Sequence, residues 1–168
     1  LDEFISQLKH DEQLSNHKSI IFTESKETGD HLFRNLNNEY PGRVIFFSGG
    51  GGVTNDGRFS NSESRRIIKE NFDPNYNNQK DDYDLVITTD VLAEGINLHR
   101  SNIVINYDLP WNPTRVLQRV GRVNRVGTSH PEIFIYNFFP TDESEKEINL
   151  EANIVNKIQA FHDTLGED

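Results

Sequence analysis

The chain has no cysteine and no methionine in its 168 residues, and only six histidines. Without cysteine there is no disulfide and no Cys-ligated zinc or iron–sulfur centre; a reducing, cytoplasmic setting is compatible with that. The histidines are scattered, none at metal-ligand spacing from another, so no metal site is expected. No apolar run approaches the roughly 20 residues that span a bilayer, and the amino end lacks the basic-then-apolar plan of a signal peptide; no membrane partner is expected. A phosphate-binding loop is also missing. Gly49-Gly50-Gly51-Gly52 invites that reading, but Val53-Thr54-Asn55 follows where Lys-[Ser/Thr] and a helix must begin. A flexible surface loop over Ser48–Arg58 accounts for the glycines better. No Asp-Glu pair stands at a strand's carboxyl end, since Asp81-Asp82 precedes the Leu85 strand. The segment Thr23–Gly29 has no Gly-x-Gly-x-x-Gly turn, which argues against a dinucleotide-binding enzyme. Beginning at Leu1, the chain reads as a piece of something longer.

Positive charge is scarce as well. The formal net charge is −10, the wrong sign for an autonomous nucleic-acid binder. Its distribution is uneven. Residues 141–168 carry eight acids against two lysines, net −6, whereas residues 84–127 carry five arginines against four acids, net +1. The acidity therefore belongs mainly to the C-terminal end.

Length suits one domain with a real core. Five β-branched or aromatic runs stand out: Ser19–Thr23, Arg43–Phe47, Leu85–Thr89, Ile103–Asn106 and Glu132–Phe138. They are continuous rather than alternating, as strands buried on both faces of a parallel sheet are. Helical patterns lie between them. Ser25–Asn37 carries Leu32, Phe33 and Leu36 on one side, and Ser60–Glu63 is a capping box opening Ser62–Asn71, with Ile67, Ile68 and Phe72 as its buried face. Asn112–Arg125 reads as a helix with an Asn cap, proline at its first position and Gly127 as its stop. A last amphipathic helix spans about Glu143–Leu165. Alternation of strand and helix predicts an open, mainly parallel α/β sheet with helices on both faces. Asp73–Tyr83 is expected to be irregular.

The segment from Gln118 to Gly127 is the most informative. At about 100° per residue, Val116, Val120 and Val123 point one way, and Gln118, Arg122 and Arg125 roughly the other. Two guanidiniums three residues apart form a fork suited to a phosphate chain. By spacing alone such a stripe is more often a solvated helix face. Gly121 argues otherwise: glycine inside a helix costs about 1 kcal/mol against alanine, so its presence suggests a close approach to the backbone. A second segment follows the Leu85 strand. Thr88, Thr89 and Asp90 lie at its carboxyl end, where open α/β sheets bind ligands, and hydroxyls there can hold a phosphate without reading base sequence. Gly95 lets the backbone pass close to a ligand, and Asn97 can bond a sugar hydroxyl. An ordinary strand end followed by a turn fits these residues equally well.

Thr89-Asp90-Val91-Leu92-Ala93-Glu94-Gly95-Ile96-Asn97 resembles motif V of superfamily two helicases, and Gln118–Arg125 resembles motif VI, in the right order and with a strand between. Ile20–Ser25 resembles motif IV, and Arg65 with Phe72 fits the helix before motif V. Asn106–Pro113 is similar to bacterial Swi/Snf-like DNA translocases, and Phe161–Asp168 to helicase-like proteins with a phospholipase-D-type nuclease domain. The resemblance implies the second RecA-like lobe of a two-lobed motor, over residues 1–140, with residues 141–168 beginning the next region. ATP with Mg2+ would lie between this lobe and the N-terminal lobe, which brings the phosphate loop and holds most of the Mg2+ contacts. Arg125 would be the arginine finger and Arg122 its companion, Gln118 would sense nucleotide, Gly95 and Asn97 would lie near ATP and its ribose, and Thr89 would touch the DNA phosphate backbone. The piece alone is expected to hydrolyse no ATP. Glu94, Asn97 and Gln118 replace the Arg, Asp and His of many RNA helicases and point towards single- or double-stranded DNA. An RNA helicase lobe and a non-catalytic docking module are the alternatives.

Overall fold

A computed structural model describes residues 1–93, 95–110, 112–124 and 130–138. Arg125, Gly127, Glu94, the expected C-terminal helix and the tail Phe161–Asp168 lie outside the described residues. The chain opens with two helices, α1 (Asp2–His10) and α2 (Glu12–Asn16). It continues through β1 (Ser19–Phe22), α3 (Lys26–Glu39), β2 (Val44–Ser48), β3 (Gly51–Thr54), β4 (Gly57–Phe59) and α4 (Asn61–Phe72). Then come β5 (Leu85–Thr88), a 3-10 turn (Asp90–Ala93), β6 (Ile103–Asn106), α5 (Pro113–Val123) and β7 (Phe134–Asn137).

The strands form one sheet in the order β4-β3-β2-β5-β1-β6-β7. From β2 to β7 every pairing is parallel, and β3 and β4 add an antiparallel hairpin at one edge. Every residue of β1, β2, β5 and β6 is buried, as continuous apolar runs covered on both sides require. Their side chains alternate between two cores. Ile20, Phe22, Ile45, Phe47, Val86 and Val104 meet Ile67, Ile68 and Phe72 of α4 and Val123 of α5. Ile21, Val44, Phe46, Ile87 and Ile105 meet Phe4 and Leu8 of α1, Leu14 of α2, and Leu32 and Leu36 of α3. The connection leaving β1 thus runs to one face, and those leaving its neighbours β5 and β6 run to the other. That divergence at the carboxyl edge is where open α/β sheets hold ligands.

Three expectations need correction. The glycine run is not a loose loop: Gly51 and Gly52 are strand residues paired to β2. Gly51 has φ +110°, and a Cβ on Gly52 would lie 2.5 Å from Ser64 Oγ, so these glycines let the hairpin close onto α4. Helix α5 stops at Val123, two residues short of the expected end, because Asn124 turns extended at φ −92°, ψ 100°; of the expected stripe only Gln118 and Arg122 are on the described helix. The box at Ser60 is half made: Ser60 Oγ accepts from the Glu63 amide at 3.3 Å, but the Glu63 carboxylate receives Arg66 at 2.6 Å instead. Asp73–Tyr83 is irregular as expected, yet fastened. The buried Asn71 Oδ1 accepts from the Asp82 and Tyr83 amides at 2.7 and 3.3 Å, and Arg100 donates to the Lys80 carbonyl at 2.6 Å.

Candidate functional site

The carboxyl edge gathers three strand ends: Thr23-Glu24 after β1, Thr89-Asp90 after β5, and Tyr107-Asp108 after β6. Backbone bonds hold them in register, the Thr23 amide to the Thr88 carbonyl and the Tyr107 amide to the Phe22 carbonyl, both at 2.9 Å. Thr23 Oγ1 and the Glu24 amide both donate to Asp108 Oδ2. Helix α5 starts beside this edge because Asn112 caps it, accepting from the Thr114 amide at 3.0 Å with proline in the first turn. Val116 and Val123 then fix its buried side, 1% and 0% exposed.

That buried side also carries Arg119, 0% exposed. Its Nε donates to Asp90 Oδ1 at 2.7 Å, Nη2 to Glu24 Oε1 at 2.6 Å, and Nη1 to Asn106 Oδ1 at 2.9 Å and the Asp108 carbonyl at 3.4 Å. The guanidinium also lies 5.0 Å over the Phe22 ring. Desolvating such a group costs several kcal/mol unless its donors are met, and here acceptors from three strand ends meet them. One turn earlier the half-exposed Arg115 bridges the same two acids from outside, with Nη1 3.0 Å from Glu24 Oε2 and 3.4 Å from Asp90 Oδ2. Sequence reasoning missed Arg119, Arg115, Glu24 and Asp108, and placed Asp90 at the ligand end of its strand without giving it a role. The one available signal was spacing, since Arg119 lies three residues after Val116 and four before Val123.

The predicted residues fall as follows. Thr88 is a correction: it is 0% exposed and its Oγ1 donates to the Thr89 carbonyl at 2.9 Å, so it offers a phosphate nothing. As the last residue of β5 it sits between Phe22 and Phe47 on the flanking strands. Thr89 is half-buried just past the strand, its hydroxyl without a partner among the described residues. Gly95 is exposed with φ +79°, a conformation costly for any residue with a Cβ; the turn itself needs it. Asn97 is half-buried two residues on, and Gln118 is exposed on α5. Arg122 is half-buried. It makes no ion pair among the described residues, and its Nε is buried without a hydrogen-bond partner. A Cβ on Gly121 would meet nothing within 4 Å, so no part of the described chain approaches that backbone closely. Arg65 is half-buried. It donates from Nη2 to the Val91 carbonyl at 3.2 Å and lies 5.4 Å over the Phe47 ring, bracing the 3-10 turn from α4.

The two motif segments are joined directly. The Leu98 amide donates to the Arg122 carbonyl at 3.1 Å, and Asp90 is held by Arg119. The stretch from Asp90 to Leu98 is thus attached to α5 at both ends, with Thr89 just outside one attachment and Arg122 at the other. Among the described residues no three His, Asp or Glu side chains are grouped as a metal site needs.

Comparison with known proteins gives the family and the fold. The family described as helicase conserved C-terminal domain matches residues 1–127. An uncharacterized ATP-dependent helicase of Bacillus subtilis (strain 168), YqhH, is 42% identical over 83 residues, covering 49% of this chain and 14% of that protein. A probable ATP-dependent RNA helicase of Dictyostelium discoideum, ddx20, is 31% identical over 127 residues, 75% of this chain and 13% of that protein. The chain therefore spans only a small part of these relatives' length. The crystal structure of the C-terminal part of the Fun30 ATPase domain superposes with a TM-score of 0.67 at 22% identity, over 88% of this chain and 43% of that one. The expected open, mainly parallel RecA-like sheet with helices on both faces is the fold found.

Proposed function

This chain belongs to the helicase conserved C-terminal domain family, and on that footing we propose that it is the second motor lobe of an ATP-dependent DNA translocase or helicase. The observation that carries the proposal is the attachment of the Asp90–Leu98 segment to α5 at both ends, which joins Thr89, beside the first attachment, to Arg122 at the second. In this reading the N-terminal lobe of the same protein closes against that segment and α5 with ATP between the two. Arg122 then meets the nucleotide phosphates. Its buried, unpartnered Nε needs an acceptor, because an orphaned buried donor costs about 1–3 kcal/mol, and a phosphate oxygen suits a guanidinium better than any neutral group. Arg125, the next arginine in the motif, is the finger. Gln118, Gly95 and Asn97 line the nucleotide side, and Thr89 offers its hydroxyl to the strand's phosphates. Phosphoryl transfer asks mostly for positioning and charge stabilisation, which is what such a lobe supplies. Mg2+ belongs to the first lobe, and a cytoplasmic location is part of the same reading.

DNA is favoured over RNA by Glu94, Asn97 and Gln118 in place of the residues of many RNA helicases. The relation to a probable RNA helicase supports an RNA-directed lobe as the second reading. ATP hydrolysis by the full-length protein, measured without nucleic acid and with duplex DNA, single-stranded DNA or single-stranded RNA, separates them. Stimulation by DNA is expected. Stimulation by RNA alone would move the substrate to the second reading, and no stimulation by any of them would overturn the proposal.

A further inference from the structure

Glu24 and Asp90 share an unusual arrangement: each of their four carboxylate oxygens has its own arginine contact. Arg119 takes Glu24 Oε1 and Asp90 Oδ1 from inside, and Arg115 takes Glu24 Oε2 and Asp90 Oδ2 from outside. The result is a closed ring, Arg119–Glu24–Arg115–Asp90, joining the end of β1, the end of β5 and one face of α5. Stability alone does not call for it, since a buried ion pair is commonly replaced by packed apolar groups at no loss. A ring with two arginines, each reaching both acids, does what apolar packing cannot: it fixes direction as well as distance.

We propose that Arg119 is a positioning residue which, through this ring, makes Thr89 and Arg122 parts of one rigid body and so couples nucleic-acid contact to nucleotide contact. The inference rests on the motor reading. Thr89 is bonded to Asp90, Asp90 is held by Arg119, and Arg119 stands one helical turn before Arg122. The Leu98 amide on the Arg122 carbonyl closes the same loop from its far end. A displacement of α5 by the nucleotide is therefore carried to Thr89 without slack. Arg119 itself reaches neither ligand, being wholly buried.

The test uses the full-length protein and the variants Asp90→Asn, Asp90→Glu and Arg115→Gln. It measures kcat and KM for ATP with and without DNA, beside the thermal midpoint. Asp90→Asn is expected to lower the DNA stimulation of kcat by about tenfold while basal kcat and the KM for ATP stay within about twofold, a split that mere loss of stability does not give. Asp90→Glu, which keeps both carboxylate oxygens, retains more stimulation than Asp90→Asn. Arg115→Gln lowers stimulation by about threefold with little change in thermal midpoint. Undiminished stimulation in Asp90→Asn and Arg115→Gln, or basal and stimulated rates falling together, would overturn the coupling role. Should Asp90→Asn fail to fold, Arg115→Gln decides alone by the same criterion, since its half-exposed side chain leaves the core intact. Absence of stimulation in the unsubstituted protein strikes the motor reading itself and takes this inference with it; stimulation that survives in the variants strikes the coupling role only.

Discussion

Leu98 and Arg122 are tied backbone to backbone, the amide of one to the carbonyl of the other at 3.1 Å. No side chain is involved, so the tie does not depend on which residues occupy the two positions. It places the stretch leading into β6 against the last turn of α5. With the Arg119–Asp90 contact at the other end, it fastens the whole Asp90–Leu98 segment to α5.

The two threonines at the end of β5 are distinguishable. Thr89→Ala in the full-length protein removes the hydroxyl of a half-buried residue and, if it bonds a phosphate, weakens DNA binding by about 1.5–3 kcal/mol. Thr88→Val leaves binding within about twofold and instead lowers stability by about 1 kcal/mol, the loss of its bond to the Thr89 carbonyl. Titration of labelled duplex at fixed salt checks both. Equal effects of the two on affinity would show that Thr89 has no special place.

The glycine hairpin supports a stability prediction. Gly52→Ala places a Cβ 2.5 Å from Ser64 Oγ and 2.9 Å from Ser64 Cβ, overpacking that lowers stability by about 1–3 kcal/mol. Gly50→Ala meets open space and changes the thermal midpoint little. A stable Gly52→Ala would mean that the hairpin does not rest on α4 as described.

Much of this was legible in the sequence. The four central strands announce themselves because burial on both faces requires continuous apolar runs, and the α3 and α4 faces follow from Leu32, Leu36, Ile67, Ile68 and Phe72 at helical spacing. The hairpin was not legible: glycine signals either looseness or close packing, and only the position of Ser64 decides which. Arg119 was hidden for a related reason. A buried arginine depends on partners, and Glu24 and Asp90 lie far from it in the chain. The end of α5 was overrun because the valine spacing continues to Val126 while the backbone turns extended at Asn124. Thr88 misled because a strand's last residue looks like a strand end until the flanking Phe22 and Phe47 are known.

Alkaline pH reports on how the amino-terminal helices are fastened. Tyr136 on β7 donates to Asp11 Oδ1 at 2.9 Å. Burial first, and then that bond, push its phenol up from 10.0 to about 12. The unfolded chain therefore loses this proton before the folded one does. The contribution is complete below about pH 10 and is lost as pH rises through about 12. Tyr136→Phe removes that part of the slope. Urea midpoints at about pH 9 and about pH 11 for both proteins check it; identical slopes would contradict the shift.

The 168-residue chain alone has no phosphate loop and is expected to hydrolyse no ATP. Turnover by the purified piece that survives further purification, and that disappears on Arg122→Ala, would show that the nucleotide site is complete without another lobe.

The decisive measurement is DNA-stimulated ATP turnover of the full-length protein carrying Arg122→Ala, at saturating nucleotide, with ATP affinity measured alongside. A guanidinium aimed at the transferring phosphate predicts a fall in kcat of at least about 10² with affinity for ATP little changed. Turnover close to that of the unsubstituted protein would remove Arg122 from the nucleotide and contradict the motor-lobe assignment of α5 and the segment joined to it.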